Sequence, residues 1–375
     1  MTDLTKRTWA EIDLSALCDN YRSIRASLPG GCRFLGVVKA DAYGHGALRV
    51  SGLLQEAGAD YLAVSCLDEA LELRQGGISM PILILGHTPV EYTEALIDNN
   101  ITQTSTCLAK AVEYSAEAVR LGRRLKLHIK LDTGMSRLGY LCSGPLFEEG
   151  VQNVISSCEL PNLDFEGIYT HFSVADEADE ESREYTLAQF ELFQAVIEAV
   201  EVRSGFRFAL RHCANSGAVV NYPQTALDMV RPGLLLYGYG DDGTRKLRPA
   251  MRLVTTVSTI KYYEPGTDIS YGRRFRTERR TRMGVLAAGY ADGLPRRSSN
   301  LCSYDIGGKK APQRGTICMD MCMVDLTDLP EAEVGSEVEL FGPSNSIQAL
   351  SDAAGTIPYE LLCSVTKRVP RVYLP

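Results

Sequence analysis

Phe34-Leu-Gly-Val-Val-Lys39 runs straight into Ala40-Asp-Ala-Tyr43-Gly-His-Gly46, and the reading of the whole chain turns on that break. The apolar run reads as a buried parallel strand, and the polar, glycine-broken stretch after it as a functional loop. A lysine at such a junction lies in a crevice at the carboxyl end of a strand, where desolvation lowers its pKa. It can then act as a base or form a Schiff base. On this strand alone the plainer reading is a strand-end lysine that snorkels to solvent. The rest of the chain reverses that preference.

From Phe34 to about Gly240, short apolar runs alternate with amphipathic stretches. The runs are residues 34–39, 61–65, 81–86, 101–104, 126–131, 165–170, 208–213 and 228–231. Helix-like segments at 47–57, 67–75 and 186–203 separate some of them. The last carries Phe190, Phe193, Val196, Ile197 and Val200 at helical spacing. Eight strands alternating with helices predict a (β/α)8 TIM barrel. A doubly wound sheet is the runner-up, weakened because no dinucleotide glycine fingerprint follows the first strand.

After Gly240 the character changes. Asp241-Asp-Gly-Thr-Arg-Lys-Leu-Arg-Pro249 reads as a linker. Alternating runs at 251–263, 282–288, 316–324 and 337–341 then predict a mostly antiparallel β domain. The expected division is residues 1–240, a barrel, and 241–375, a β domain. Residues 1–13 can pair with the second domain, and Asp13 is a plausible helix cap.

The 375 residues suit two domains, and the hydrophobic fraction of 45% with 23% charged residues is that of a soluble globular protein. A net charge of −8 supplies no basic stripe for nucleic acid. The cluster from Arg273 to Arg282 reads as a solvated or interface face. No apolar segment reaches membrane-spanning length, and the N-terminus lacks a signal-peptide pattern, so a cytoplasmic protein without membrane partners is expected. The eleven cysteines are scattered singly and read as buried reduced thiols. Cys318 and Cys322 are only half a zinc site, and no metal is expected.

Barrel chemistry sits at the C-terminal ends of the strands. Those ends bring Lys39 with Tyr43; Lys130-Leu-Asp132 leading to Arg137; His171; Asn215-Ser216-Gly217; and Arg231-Pro-Gly233-Leu234. The loops after strands seven and eight are where barrels commonly bind phosphate. A phosphate cradle facing a Schiff-base lysine is the logic of a pyridoxal phosphate (PLP) enzyme.

These residues lie in a set of motifs through which the chain resembles the PLP-dependent alanine racemases over nearly its whole length. The markers are Val38-Lys39-Ala-Asp-Ala-Tyr43-Gly-His-Gly46, Lys130-Leu-Asp-Thr-Gly-Met-Ser-Arg137-Leu-Gly and His212-Cys-Ala-Asn-Ser216. Val230-Arg231-Pro-Gly, Ser270-Tyr271-Gly, Gly289-Tyr290-Ala-Asp-Gly293 and Cys318-Met319-Asp320 complete them. The resemblance implies a fold type III PLP enzyme, a homodimer with shared active sites, and D-alanine supply for peptidoglycan. It implies Lys39 and Tyr271 as the two bases, with Tyr271 from the other subunit. Tyr43, Asn215, Ser216, Gly233, Leu234 and Tyr359 would hold the cofactor, with Arg231 at the pyridine nitrogen and His171 near the ring. Arg137 would contact cofactor and substrate, and Met319 the substrate carboxylate. Asp176, Tyr290 and Arg296 would line the entry corridor. Lys130 would be carbamylated, the alternative being a plain pair with Asp132. Family members often carry arginine where this chain has Thr316, a departure that puts the outer corridor in doubt.

Three other readings compete. A basic amino-acid decarboxylase would carry a carboxylate at the pyridine nitrogen, and a non-catalytic PLP carrier would lack the β domain. A serine racemase on the same scaffold tends to have asparagine at Tyr359.

Overall fold

The computed structural model describes residues 7–375. It divides into two compact units: Cys18–Ala42 with Ala47–Leu247, and residues 7–17 with Tyr43–Gly46 and Arg248–Pro375.

Strand β1 (Thr8–Asp13) belongs to the second unit. The first unit is built on β2 (Arg33–Val37), β3 (Tyr61–Val64), β4 (Ile82–Ile84), β5 (Ile101–Ser105) and β6 (Leu125–Asp132). It continues through a two-residue β7 (Tyr140–Leu141) to β8 (Leu163–Tyr169), β9 (Leu210–His212) and β10 (Met229–Val230). All pairings among these are parallel, in the order β10-β2-β3-β4-β5-β6-β8-β9, with β7 beside β6. The two ends of that order meet. Asp228 N–H donates to Arg211 C=O at 3.1 Å and Arg231 N–H to Ala214 C=O at 2.9 Å, so eight strands nearly close a barrel. The apolar runs are strands because both faces are covered: β3 and β4 are buried at every residue.

Two details differ from the sequence reading. The first barrel strand stops at Val37, and Lys39 opens a turn of opposite hand rather than ending a strand. The helix expected over 186–203 is Glu180–Ser204, begun by Asp179, whose carboxylate accepts from Ser182 N–H, and ended by Gly205 at φ 72°. Ahead of the barrel, Asp13 caps the helix Leu14–Ala26 by accepting from Ala16 N–H at 2.7 Å.

The second unit centres on β11 (Met251–Tyr263), long enough to serve three neighbours. It pairs with β1, and, after β12 (Asp268–Ile269) and β13 (Phe275–Arg276), with β14 (Thr281–Leu286). The path β14-β17-β16-β15-β18 returns to β11, giving an antiparallel barrel-like sheet; here β15 is Ser303–Ile306, β16 Lys309–Arg314, β17 Cys322–Asp325 and β18 Glu337–Phe341. Register shifts at Leu253/Val254 and Val257/Thr259 let β11 bend from one partner to the next. A final strand, β19 (Arg371–Leu374), runs parallel to β1.

The run expected over 316–324 is strand only from Cys322; residues 316–321 form an irregular loop. The β15–β16 hairpin is an element the alternation did not reveal. Its two-residue turn, Gly307-Gly308, has φ 60° and 85°, the left-handed pair that such hairpins require. All eleven cysteines are free. Cys32, Cys142, Cys213 and Cys322 are buried, but Cys107 and Cys363 are exposed, which corrects the uniform burial expected. In the single chain the arginine cluster is exposed: Arg273 and Arg276 share Asp268, and Arg280 pairs with Glu264.

Candidate active site

Lys39 stands at the start of a left-handed turn. Ala40, Asp41, Ala42 and Tyr43 have φ between 52° and 54°, and Ala42 N–H donates to Val38 C=O at 2.8 Å. Each non-glycine residue in that region costs roughly 1–2 kcal/mol, so the surroundings must hold the turn in place. Asp41 accepts from Ala47 N–H at 2.7 Å, fastening the turn to the helix Ala47–Ala57.

Four basic side chains of the barrel unit act electrostatically on one imidazole. Burial first, then Arg231, Lys130, Arg137 and Lys39, push His171 well below the usual histidine range. Five of the expected site residues therefore share the mouth formed by the strand ends.

Arg231, 3% exposed, is the deepest of them. It donates to His212 Nδ1 at 2.9 Å, Thr170 C=O at 2.7 Å, Cys213 C=O at 3.1 Å and His171 Nδ1 at 3.3 Å. Because arginine only donates, His212 must accept at Nδ1 and carry its proton on Nε2. That nitrogen lies 2.9 Å from His128 Nδ1, which leaves the His128 proton on Nε2, 3.9 Å from Glu166 Oε2. Burial, with Arg231 adding repulsion, pushes His128 down to about 3, and His212 also falls well below its usual range. Both rings are neutral at physiological pH. Gly167 makes room for this pair: a Cβ there would lie 2.7 Å from the His128 ring. Tyr169 stacks on His212 at 4.8 Å and lies beneath both Arg231 (5.2 Å) and Lys130 (5.5 Å). His212, Tyr169 and Thr170 carry no assigned role in the sequence reading. His212 sits inside a quoted motif, but its partner His128 is 84 residues away.

Lys130, 5% exposed, donates to Leu131 C=O at 2.9 Å. Burial, then Arg231, pull its amine down to about 7, Arg137 adding to the effect and Asp132 opposing it. The plain ion pair with Asp132 is not formed: Asp132 Oδ1 accepts from Gly134 and Ser136 N–H, shaping the loop that presents the exposed Arg137.

In the loops after β9 and β10, Asn215 caps the helix Ser216–Asn221, and Ser216 Oγ accepts from Gly233 N–H at 2.9 Å and Leu235 N–H at 3.2 Å. One hydroxyl thus ties the two loops together. Gly217 permits a separate close approach, to the segment after β8, since a Cβ there would meet Asp176 N at 2.8 Å.

The second unit carries Tyr43, Tyr271, Met319 and Tyr359. The Tyr43 and Tyr359 rings lie 5.8 Å apart, tilted by 50°, and burial pushes the Tyr43 hydroxyl far above its ordinary value. Tyr271 is 68% exposed on a strained loop, with Ser270, Gly272 and Arg273 all at positive φ. That loop is held by Thr316, 1% exposed, whose Oγ1 donates to Tyr271 C=O at 2.7 Å while Ser270 Oγ donates to Thr316 C=O at 2.7 Å. Met319 sits in a loop braced by Gly289-Tyr290-Ala291: Tyr290 and Ala291 N–H donate to Cys318 and Met319 C=O, each at 3.0 Å. Beneath them Asp292 is fully buried. Burial alone would raise its pKa, but hydrogen bonds from Arg368 and Arg7 prevail and hold it below the usual range. Tyr290 and Arg296 line a cavity of about 300 Å³ with Arg297, Thr356 and Glu360.

A parallel barrel whose strand ends carry Lys39, Lys130, Arg137, His171 and Arg231 defines an enzyme of the lysine-bearing barrel class. The family models sharpen this: residues 12–241 match "Alanine racemase, N-terminal domain" and residues 250–373 "Alanine racemase, C-terminal domain". The alanine racemase of Desulfovibrio desulfuricans is 43% identical over 379 residues, covering all of both chains, and that of Clostridium perfringens 42% over 374 residues, covering 97% of this chain and 95% of its own. The solved alanine racemase of Clostridium difficile 630 superposes with a TM-score of 0.91 at 40% identity, covering 99% of this chain and 96% of that one. The chain belongs to the alanine racemase family.

Proposed function

We propose that the protein is a PLP-dependent racemase that interconverts L- and D-alanine, with Lys39 and Tyr271 working on opposite faces of the α-carbon. The observation that carries this reading is the buried Arg231, held by neutral acceptors at a mouth it shares with Lys39, Lys130, Arg137 and His171. PLP fits that donor set: after burial, the groups that act on His171 are the basic side chains Arg231, Lys130, Arg137 and Lys39, and an anionic group would be favoured beside them. When bound, the cofactor supplies an electron sink that acidifies the α-hydrogen.

By family resemblance Lys39 would carry the cofactor. Tyr43, Ser216, Gly233, Leu234 and Tyr359 would hold its phosphate, Asn215 would belong to the same cofactor site, and Arg231 would face its ring nitrogen. A donor-only guanidinium leaves that nitrogen an acceptor, which keeps the sink weak and favours proton return over side reactions. Tyr271 Oη would take the α-hydrogen of L-alanine while Lys39 Nζ delivers a proton to the other face, the roles exchanging for D-alanine. Arg137 and the Met319 N–H would receive the substrate carboxylate. An amine lowered to about 7 is neutral in a substantial fraction at physiological pH, so Lys130 can take up carbon dioxide with loss of a proton to give a carbamate, an anion able to orient Arg137.

A second copy of the chain would cover Tyr271, which at 68% exposure lacks the dry surroundings a base of this kind needs. We therefore read a homodimer with Tyr271 completing the partner's site, acting in the cytoplasm and feeding peptidoglycan synthesis. No helix among the described residues is long and apolar enough to cross a membrane. Initial rates with L-alanine and L-serine, read by a D-amino-acid-specific coupled assay, test the substrate. Tyr359 predicts at least ~10-fold preference for alanine in kcat/KM, and a serine preference would overturn the assignment.

A further inference from the structure

The left-handed turn after Lys39 is gripped from outside its own loop. Glu69 lies in the first turn of the helix Leu67–Gln75, following β3. Its Oε2 accepts from Ser65 N–H at 2.7 Å, as a carboxylate in a first helical turn does when it reaches back to the loop ahead of the helix. Helix capping uses that oxygen alone. The other oxygen, Oε1, accepts from Ala40 N–H at 2.7 Å, 29 residues away and adjacent to Lys39. One carboxylate thus bridges the ends of two neighbouring barrel strands, at the point where four successive non-glycine residues take a conformation the backbone resists.

We propose that Glu69 is a positioning residue for Lys39: by holding Ala40 N–H against Ser65 N–H, it keeps the left-handed turn that aims the Lys39 amine into the barrel mouth. The proposal rests on the reading of Lys39 as the reacting amine. A carboxylate suits this task because both partners are donors. Glutamine would supply one acceptor and set its amide N–H against the other donor, and alanine would supply neither. Released from Ala40, the turn has less to oppose its strain, and the Lys39 amine samples more positions.

Cofactor-free wild type, Glu69→Gln and Glu69→Ala are compared by amide hydrogen exchange, and each is then trapped with PLP and borohydride. In Glu69→Ala, Ala40 exchange is expected to rise at least ~10-fold while the second half of the helix Leu67–Gln75 keeps its protection. Fixation of PLP at Lys39 is expected to slow by a similar factor. In the loaded enzyme kcat falls by about 10–100-fold with KM changed far less, Glu69→Gln lying between alanine and wild type. If Ala40 exchange and Lys39 trapping match wild type in both variants, Glu69 only caps its helix and the proposal is wrong. Should Glu69→Ala not fold, Glu69→Gln alone decides by the same two readings. Full racemase activity in Lys39→Ala would instead overturn the role of Lys39, and the exchange result at Ala40 would show which of the two readings had failed.

Discussion

His128 and His212 carry the hydrogen bonds of Arg231 into the barrel interior, and the tautomer chain holds only while both rings stay neutral. A histidine in the unfolded chain takes a proton near pH 6.5, whereas folded His128 does so at about 3. Between those values the unfolded chain binds the extra proton and the folded one does not. Stability therefore rises with pH across that window and drains away on acidification, by up to ~1.4 kcal/mol per pH unit for each such histidine. Urea unfolding between pH 4 and 7 should give a distinctly shallower slope in His128→Gln, whose amide can still meet His212. Equal slopes would mean that His128 is not held neutral. This pairing was beyond the sequence reading because it joins β6 to β9, and a lone histidine on an apolar strand carries no sign of its partner.

At the scale of elements, the barrel was legible because its strands are short apolar runs set apart by amphipathic helices. The loops were less so. Ala40-Asp-Ala-Tyr43 contains no glycine to announce a left-handed turn, so the strand was read through Lys39. Residues 316–321 alternate like a strand yet form a loop, since Thr316 spends its hydroxyl on Tyr271 C=O and its carbonyl on Ser270 Oγ. This is what the departure at Thr316 supplies here: a buried anchor for the proposed second base. Thr316→Val keeps the shape and removes the donor, leaving a carbonyl short of a partner at a cost of about 1–3 kcal/mol. Exchange of the L-alanine α-hydrogen into heavy water under single turnover is expected to fall ~10-fold, with D-alanine exchange nearly unchanged and Thr316→Ser restoring both. Equal losses in the two directions would assign Thr316 to fold support alone.

Across the whole molecule, Lys39 and Tyr271 belong to different compact units, each with its own core. The motifs named both residues, but the residues that set their geometry, Glu69 and Thr316, act through backbone hydrogen bonds that leave no motif. The central claim is that one racemising site needs Lys39 from one chain and Tyr271 from another. Mixing Lys39→Ala with Tyr271→Phe subunits, unfolded together and reassembled, tests it most directly. If the bases come from two chains, each heterodimer holds one intact site, and an equal mixture regains about a quarter of wild-type activity. Heterodimers shown to form but lacking racemase activity would place both bases in the same chain and contradict the account.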